Sequence, residues 1–402
     1  MLRLNSPVAA ALAAIAFWPQ AGVLGQDLYY ANSVDLDPAQ GAILDPWCGQ
    51  RTYDGHTGVD VTMRSFREVQ IGVPVFSVSD GTITEVQDGE FDFHSGPTVS
   101  LYDNHLIVAS TDGRLFVYGH LRHGLTLRRG AVVRAGQQIA WAASSGNSSW
   151  PHLHFTELFE HAPRDPFAGP CRPGESDFAD QPQPFRDTPY VRNLVVSQKP
   201  FRGRAQLPWD EATRTGTFVR GTRDVWFRVE LGELAGGDAR VQVVRPDGRV
   251  AVDDASPAEA PDGVGQGHGQ AAFDLHERVS FDVLGTWRLR YLLDGHLLAD
   301  APLRVVARAT QVRNRPPYAV TASITRRDGV AQCVVSTSLV VRDPDYDLVR
   351  YRYRWSAGRR VLRTVTSAAL SDLVPAPAQA VRCQVTPSDG KLVGPTATAT
   401  AG

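Results

Sequence analysis

Eleven histidines occur in 402 residues, and eight of them fall between His56 and His161. They gather in three short clusters: His56-Thr-Gly-Val-Asp60, Tyr118-Gly-His120-Leu121 and His152-Leu-His154-Phe155. His152 and His154 are two apart, so on a strand both rings share one face. Two imidazoles on one face suit a metal and its reacting water. His56 and Asp60 are four apart around Gly58, a spacing that reads as a turn bringing both side chains to one point. Imidazole nitrogen with carboxylate oxygen is a ligand set that suits Zn²⁺. The cluster contains no cysteine, which argues against a closed thiolate site. Three protein ligands and an open position are the catalytic arrangement. The residues alone leave open which histidines are ligands.

Strands must carry these clusters. Between residues 44 and 168 short apolar–polar runs recur at Val73–Val78, Thr82–Val86, Leu106–Ala109, Leu115–Tyr118 and Leu153–Phe159. Glycines punctuate them, and no helical period exceeds two turns, so the block reads as all-β. Residues 172–194, rich in Pro, Asp and Gln, read as a linker. Alternating runs then resume at Val225–Leu231, Ala239–Val244, Gln270–Leu275, Gly285–Leu293 and Pro302–Ala307, and predict a β-sandwich. After a second linker, 309–317, a third block carries Thr321–Thr325, Cys333–Val341, Val349–Trp355 and Val381–Thr386. Its Cys–Trp–Cys order predicts an immunoglobulin-like sandwich.

Taken together and in this order, the three clusters resemble the lysostaphin/LytM-type zinc endopeptidases that cut peptidoglycan. The resemblance covers Asp54 to Ala168. It is supported by Gly72-Val-Pro-Val, Ser79-Asp-Gly-Thr-Ile, Asp112-Gly, Gly136-Gln-Gln-Ile, Ser145-Gly, Pro151-His-Leu-His-Phe and Asp165-Pro-Phe. It implies His56, Asp60 and His154 as ligands of one Zn²⁺, with His120 and His152 as catalytic histidines flanking the water. The base falls to His152, which alternation on its strand fixes beside His154. The resemblance also implies an all-β core of the duplicated hybrid motif type, with the metal in a long groove. Its partners are peptidoglycan peptide stems or cross-bridges. Departures lie at Pro97–Asn104, preceded by an insertion at Glu90–Gly96, and at Ser144–Trp150, where Trp150 is expected to line the groove. His105 and His123 read as surface or supporting residues, and His94 and His161 as loop residues.

The rest of the chain sets the context. With 41 Lys+Arg against 43 Asp+Glu the net charge is −2, which argues against a nucleic-acid binder. Arg3 followed by the apolar run Val8–Trp18 reads as a signal peptide over residues 1–25, with cleavage after Ala21 or Gly25. No later stretch is apolar enough to span a membrane. A secreted or periplasmic product follows. Domain layout pairs Cys48 with Cys171 and Cys333 with Cys383. The divisions are therefore 26–171 for the peptidase block, 195–308 and 318–402 for the sandwiches. Since the motifs end near Ala168, the first block is expected to survive deletion of residues 195–402. Asp343, Asp345 and Asp347 read as a solvated turn, with clustered carboxylates for Ca²⁺ as the other reading. Besides a wall peptidase, a non-catalytic activator of other hydrolases and a zinc protease of non-wall proteins remain open.

Overall fold

The computed structural model describes residues 13–96, 102–201, 214–258, 269–337 and 340–402. Arg3, the first part of the apolar run, residues 97–101 of the departure at Pro97–Asn104, and residues 259–268 lie outside the described residues. Among the described residues the regular elements are strands, apart from one short helix α1 (Phe66–Ile71) and a single helical turn. This agrees with the all-β expectation.

The first domain has ten strands: β1 (Tyr29–Asn32), β2 (Val59–Thr62), β3 (Pro74–Phe76), β4 (Gly81–Gln87), β5 (His105–Ser110), β6 (Leu115–Gly119), β7 (Val132–Val133), β8 (Gln138–Trp141), β9 (His152–Phe159) and β10 (Ala162–Arg164). The main sheet runs β1-β2-β9-β6-β5-β4-β7, with β10 beside β9 and a separate β3–β8 pair. Strand β9 shows why this sequence folds this way. Leu153 and Phe155 point inward and are fully buried, and His152 and His154 point to the other face. Phe155 stacks on Phe116 at 5.8 Å and meets the edge of Trp18 at 5.6 Å. Burying one such ring stabilises the fold by about 1.5–3 kcal/mol.

The second domain has β11 (Tyr190–Ser197), β12 (Thr217–Val219), β13 (Asp224–Leu234), β14 (Gly237–Val244), β15 (Val250–Ala258), β16 (Gly269–Arg278), β17 (Gly285–Leu293) and β18 (His296–Val306). They form a β11-β13-β16 sheet and a β12-β18-β17-β14-β15 sheet over one core. The third has β19 (Thr321–Arg327), β20 (Val330–Ser336), β21 (Arg350–Ala357), β22 (Arg360–Ser367), β23 (Ser371–Pro375), β24 (Val381–Ser388) and β25 (Ala397–Ala401). Its sheets are β19-β20-β23 and β22-β21-β24-β25. Cys333 on β20 bonds Cys383 on β24 and so staples the two sheets, beside buried Trp355 opposite Cys383. Closing its 50-residue loop is worth about 4 kcal/mol in the chain-entropy account. Cys48 and Cys171 form the other disulfide, as expected from the domain layout.

The first domain does not carry a separate core. Val330, Ala368, Ala369 and Leu373 of the third domain sit in the same apolar cluster as Val73, Val75 and Phe76. The Ala368 N–H donates to Gly72 O at 3.0 Å, and the Leu370 N–H donates to buried Asp27 at 2.7 Å. The second domain is tied on by a fork between Arg51 and buried Glu233 at 2.6 and 3.1 Å. The expectation that residues 195–402 are dispensable therefore gives way: the apolar face of the first domain is finished by its neighbours. Deleting 318–402 uncovers four core contacts and takes the Leu370 N–H from the buried Asp27 carboxylate. At about 1.5–3 kcal/mol each for Val330 and Leu373, the melting temperature should fall by roughly 10 °C. Calorimetry of the truncated chain checks this, and an unchanged transition would contradict the shared core.

The N-terminal segment joins this core too. Ile15, Phe17, Trp18 and Ala21 are buried, and the Ala21 N–H donates to Pro74 O while the Phe76 N–H donates to Pro19 O. Cleavage after Ala21 or Gly25 would remove Trp18 from its place against Phe155. The packing predicts that an exported mature chain retains Trp18. N-terminal sequencing of that chain checks it, and a start at Gly22 or Gln26 would contradict it.

Candidate metal centre

Strand register assembles the site. In the antiparallel pair β2–β9, Asp60 lies opposite His154 and Thr62 opposite His152, so all four side chains share a face. On the far side of β9, Gly119 lies opposite His154, and the chain then turns sharply at His120. His120 holds φ at +55°, a left-handed conformation that costs a non-glycine residue about 1–3 kcal/mol. Asp103 accepts the His120 N–H at 2.7 Å, and the His120 carbonyl accepts from Ala143. These contacts enforce the turn and swing the ring beside His152, with centroids 4.4 Å apart.

Each imidazole is fixed by one nitrogen, leaving the other for chemistry. A carbonyl oxygen can only accept, so the nitrogen facing it must carry the proton. His56 Nδ1–H donates to Ser33 O at 2.6 Å, His120 Nδ1–H to Ser145 O at 2.6 Å and His152 Nδ1–H to Trp150 O at 2.7 Å. His154 is turned the other way, with Nε2 on Thr156 Oγ1 at 3.0 Å and Nδ1 toward Asp60 at 2.9 Å. His56 Nε2 lies 3.2 Å from His154 Nδ1 and 3.2 Å from Asp60 Oδ2. Among the described residues, His56, Asp60 and His154 are the group whose ligand atoms converge in this way, all within 4.8 Å of one another.

This donor set fits a tetrahedral cation. An ion bonded at about 2.0–2.1 Å spaces its ligands roughly 3.3 Å apart, close to the separations seen here. Three lone pairs at this range repel unless a cation or proton lies between them. The electrostatics agree. Against a burial that would raise it, the His56 and His152 rings hold the Asp60 carboxyl well below the usual range. Burial and neighbouring His152 push His120 down to about 3. Burial lowers the His152 pKa, but Asp60 more than offsets that and raises it.

Gly58 plays a different part from the turn that the spacing suggests. Its φ is not among the positive ones. A Cβ there would lie 2.7 Å from His154 Nε2 and Cε1 and 2.6 Å from Thr156 Oγ1. Glycine makes room for the His154 ring and its Thr156 anchor. Gly58→Ala should therefore displace His154 and weaken divalent-metal affinity by about 10–100-fold, as loss of an orienting partner does. Competition with a chromophoric chelator measures it, and unchanged affinity would refute the role.

Other residues fall as follows. His105 bonds Asp103 at 2.9 Å, and so supports His120 at one remove. His123 lies exposed on Asp92, away from the centre, and His161 sits in the β9–β10 turn. Trp150 donates from Nε1 to Met63 O at 2.8 Å and leaves its ring facing the second domain. Asp343 accepts the N–H groups of Asp345 and Asp347, and Asp345 pairs with Arg315. This is a hydrogen-bonded turn, and the three do not form a metal-ligating group among the described residues. Ser33, Tyr53, Asp103, Ser145 and Thr156 were not foreseen. Of these, Thr156, two residues beyond His154 on one strand face, and Ser145, within the Ser145-Gly motif, had a signal in the sequence. Tyr53 stacks on His56 at 4.3 Å.

Behind the site, Glu157 is fully buried beside Arg114, and its Oε2 has no partner among the described residues. Burial, with Asp177 nearby, pushes this carboxyl up from 4.5 to about 7 against the pull of Arg114. The folded state thus keeps a proton that the unfolded chain releases near 4.5. Stability should fall as pH rises from about 4.5 to 7, by up to about 1.4 kcal/mol per unit. Glu157→Gln should flatten that decline in melts at pH 5, 6 and 7, and an equal decline in the variant would show that Glu157 is not its source.

Residues 54–166 match Peptidase family M23. This segment is an M23 domain. Over 103 residues the chain is 34% identical to the glycyl-glycine endopeptidase ALE-1 of Staphylococcus capitis, a match covering 26% of this chain and 24% of that protein. Over 110 residues it is 29% identical to the peptidoglycan DD-endopeptidase ShyB of Vibrio cholerae, covering 27% and 22%. The chain thus spans about a quarter of the length of these relatives. The catalytic domain of lysostaphin from Staphylococcus simulans aligns at 27% identity over 35% of this chain and 89% of that one, with a TM-score of 0.24. At that score the sequence match carries the assignment. All five residues singled out from the sequence lie inside the M23 domain, and the structure brings them to one face.

Proposed function

We propose that the chain is a secreted zinc endopeptidase that hydrolyses peptide cross-links of bacterial peptidoglycan. The observation that carries this reading is the His56–Asp60–His154 group facing the His120–His152 pair within an M23 segment. His56, Asp60 and His154 would hold the ion. Zinc, when bound, polarises a carbonyl and lowers the pKa of water toward about 7. The His120–His152 pair, both rings turned to the cleft, would supply the general base that returns its proton to the leaving amine and the donor that stabilises the developing oxyanion. Two disulfides support an oxidising, exported location. The third domain, with its inter-sheet disulfide and buried Trp355, is read as an immunoglobulin-like module.

Digestion of purified peptidoglycan, with mass analysis of the fragments, tests the reading. Wild type should release peptides cut within stems or bridges. Asp60→Ala should lose both zinc and cleavage. His120→Ala should keep about one zinc and cut about 10²–10³-fold more slowly. Zinc loss in the His120 variant would refute the ligand set. A zinc-loaded wild type that cuts nothing while stimulating a separate hydrolase would establish the activator reading instead.

A further inference from the structure

The three domains meet around a cavity of about 510 Å³, which none of the five site residues lines. Its cations come from every domain: Arg67 on α1 of the first, Arg214 and Arg228 of the second, and Arg350 and Lys391 of the third. Its acids are Glu230, Asp347 and Asp389. The volume falls in the range of small-molecule sites, roughly 300–1,000 Å³.

These charges do not cancel in pairs. Arg228 is held by Asp274, outside the cavity, and Lys391 reaches Asp347 at 3.6 Å. Asp389 is occupied by Asn314 Nδ2 and by the Lys391 and Leu392 N–H groups, each at 2.6 Å. Glu230 accepts from Asn193 at 3.2 Å, its other oxygen is closed off from solvent, and burial raises its pKa. Arg214 and Arg350 are left with no ion pair among the described residues. Arg214 Nη1–H donates to Tyr346 O at 2.9 Å, while its Nε–H and Nη2–H find no acceptor there and stay open to solvent. Arg350 Nε is closed off, but both of its Nη groups are open and unbonded. Gly390 lets the last loop lie against this guanidinium, since a Cβ there would fall 2.8 Å from Arg350 Nη2. Burial lowers the Arg214 pKa; Asp347 and Glu230 offset that only in part, and Arg67 and Arg64 lower it further. The cation therefore lacks a counter-charge.

We propose that this cavity is an anion site, in which Arg214 and Arg350 hold a small multivalent oxyanion through its phosphate or carboxylate oxygens. A guanidinium with two free N–H groups presents a fork that matches such oxygens. A neutral ligand would leave both arginines uncompensated, and a cation would be repelled by them. Arg214 belongs to the second domain and Arg350 to the third, so a bound anion bridges the two and holds them around the first. The inference does not depend on what the first domain cleaves.

Full-length, zinc-loaded protein is titrated calorimetrically with inorganic pyrophosphate and, separately, with tricarballylate, in low-salt buffer. Wild type should bind about one anion per chain, and its melting temperature should rise more with that anion than with sodium chloride of equal ionic strength. Chelating the zinc should leave the binding in place, which separates this site from the metal centre. Arg214→Gln and Arg350→Gln should each weaken binding at least about tenfold, the loss of one charge-assisted contact, while Arg249→Gln, on an exposed turn, changes nothing. Preference for pyrophosphate identifies a phosphate ligand and preference for tricarballylate a carboxylate one, and either result supports the site. No binding by wild type, binding lost with the zinc, or equal binding by both arginine variants in folded form would overturn it. Should those variants not fold, wild-type crystals soaked in tungstate decide: a tungsten peak between Arg214 and Arg350 supports the site, and its absence refutes it.

Discussion

Everything in the first domain answers to one electrostatic constraint: two imidazole nitrogens and a carboxylate held about 3 Å apart with their lone pairs converging. Unless a proton or a cation lies between them these lone pairs repel, so the fold must hold the groups together. It does so with backbone hydrogen bonds and strand register. Asp60 and His154 face each other because β2 and β9 pair in that register, and a one-residue slip would send both into the core. Ser33 O, Ser145 O and Trp150 O each take one ring proton and so decide which nitrogen is left for chemistry.

Such preorganisation needs a stiff frame, and the frame extends beyond the motif-bearing segment. Phe155 beneath the histidines is wedged by Phe116 and Trp18, and Trp18 belongs to a segment that leads on to contacts with the third domain. Gly72, between α1 and β3, receives a hydrogen bond from Ala368. The second domain bonds Thr62, which shares the catalytic face. The three domains therefore behave as one packed body around the cleft.

The sequence made the chemistry legible and hid much of the architecture. Histidine spacing and its order pointed to five candidate residues that the structure brings together, and alternation found β4, β5, β6 and β9, because each has one buried and one open face. Strand β2 was missed, since Val59–Thr62 is buried on both faces and too short to show a period. Gly58 was read as a turn because glycine usually marks one. Only three-dimensional proximity reveals that its missing side chain makes room for His154. The shared core was also invisible: residues such as Val330 and Ala368 look like ordinary sandwich interior until the neighbouring domain is in place. A stretch rich in Pro, Asp and Gln looked like linker, but Phe178 and Phe185 pack against aromatic rings of the first domain, and β11 already begins at Tyr190.

The account stands or falls on what lies between His56, Asp60 and His154. Anomalous diffraction at the zinc edge, on crystals of full-length protein, locates the ion directly. The geometry predicts a single site bonded at about 2.0–2.2 Å to His56 Nε2, an Asp60 oxygen and His154 Nδ1, with His120 and His152 outside bonding distance. A peak bonded to His120 or His152, or no peak in this cleft from zinc-saturated protein, would contradict it.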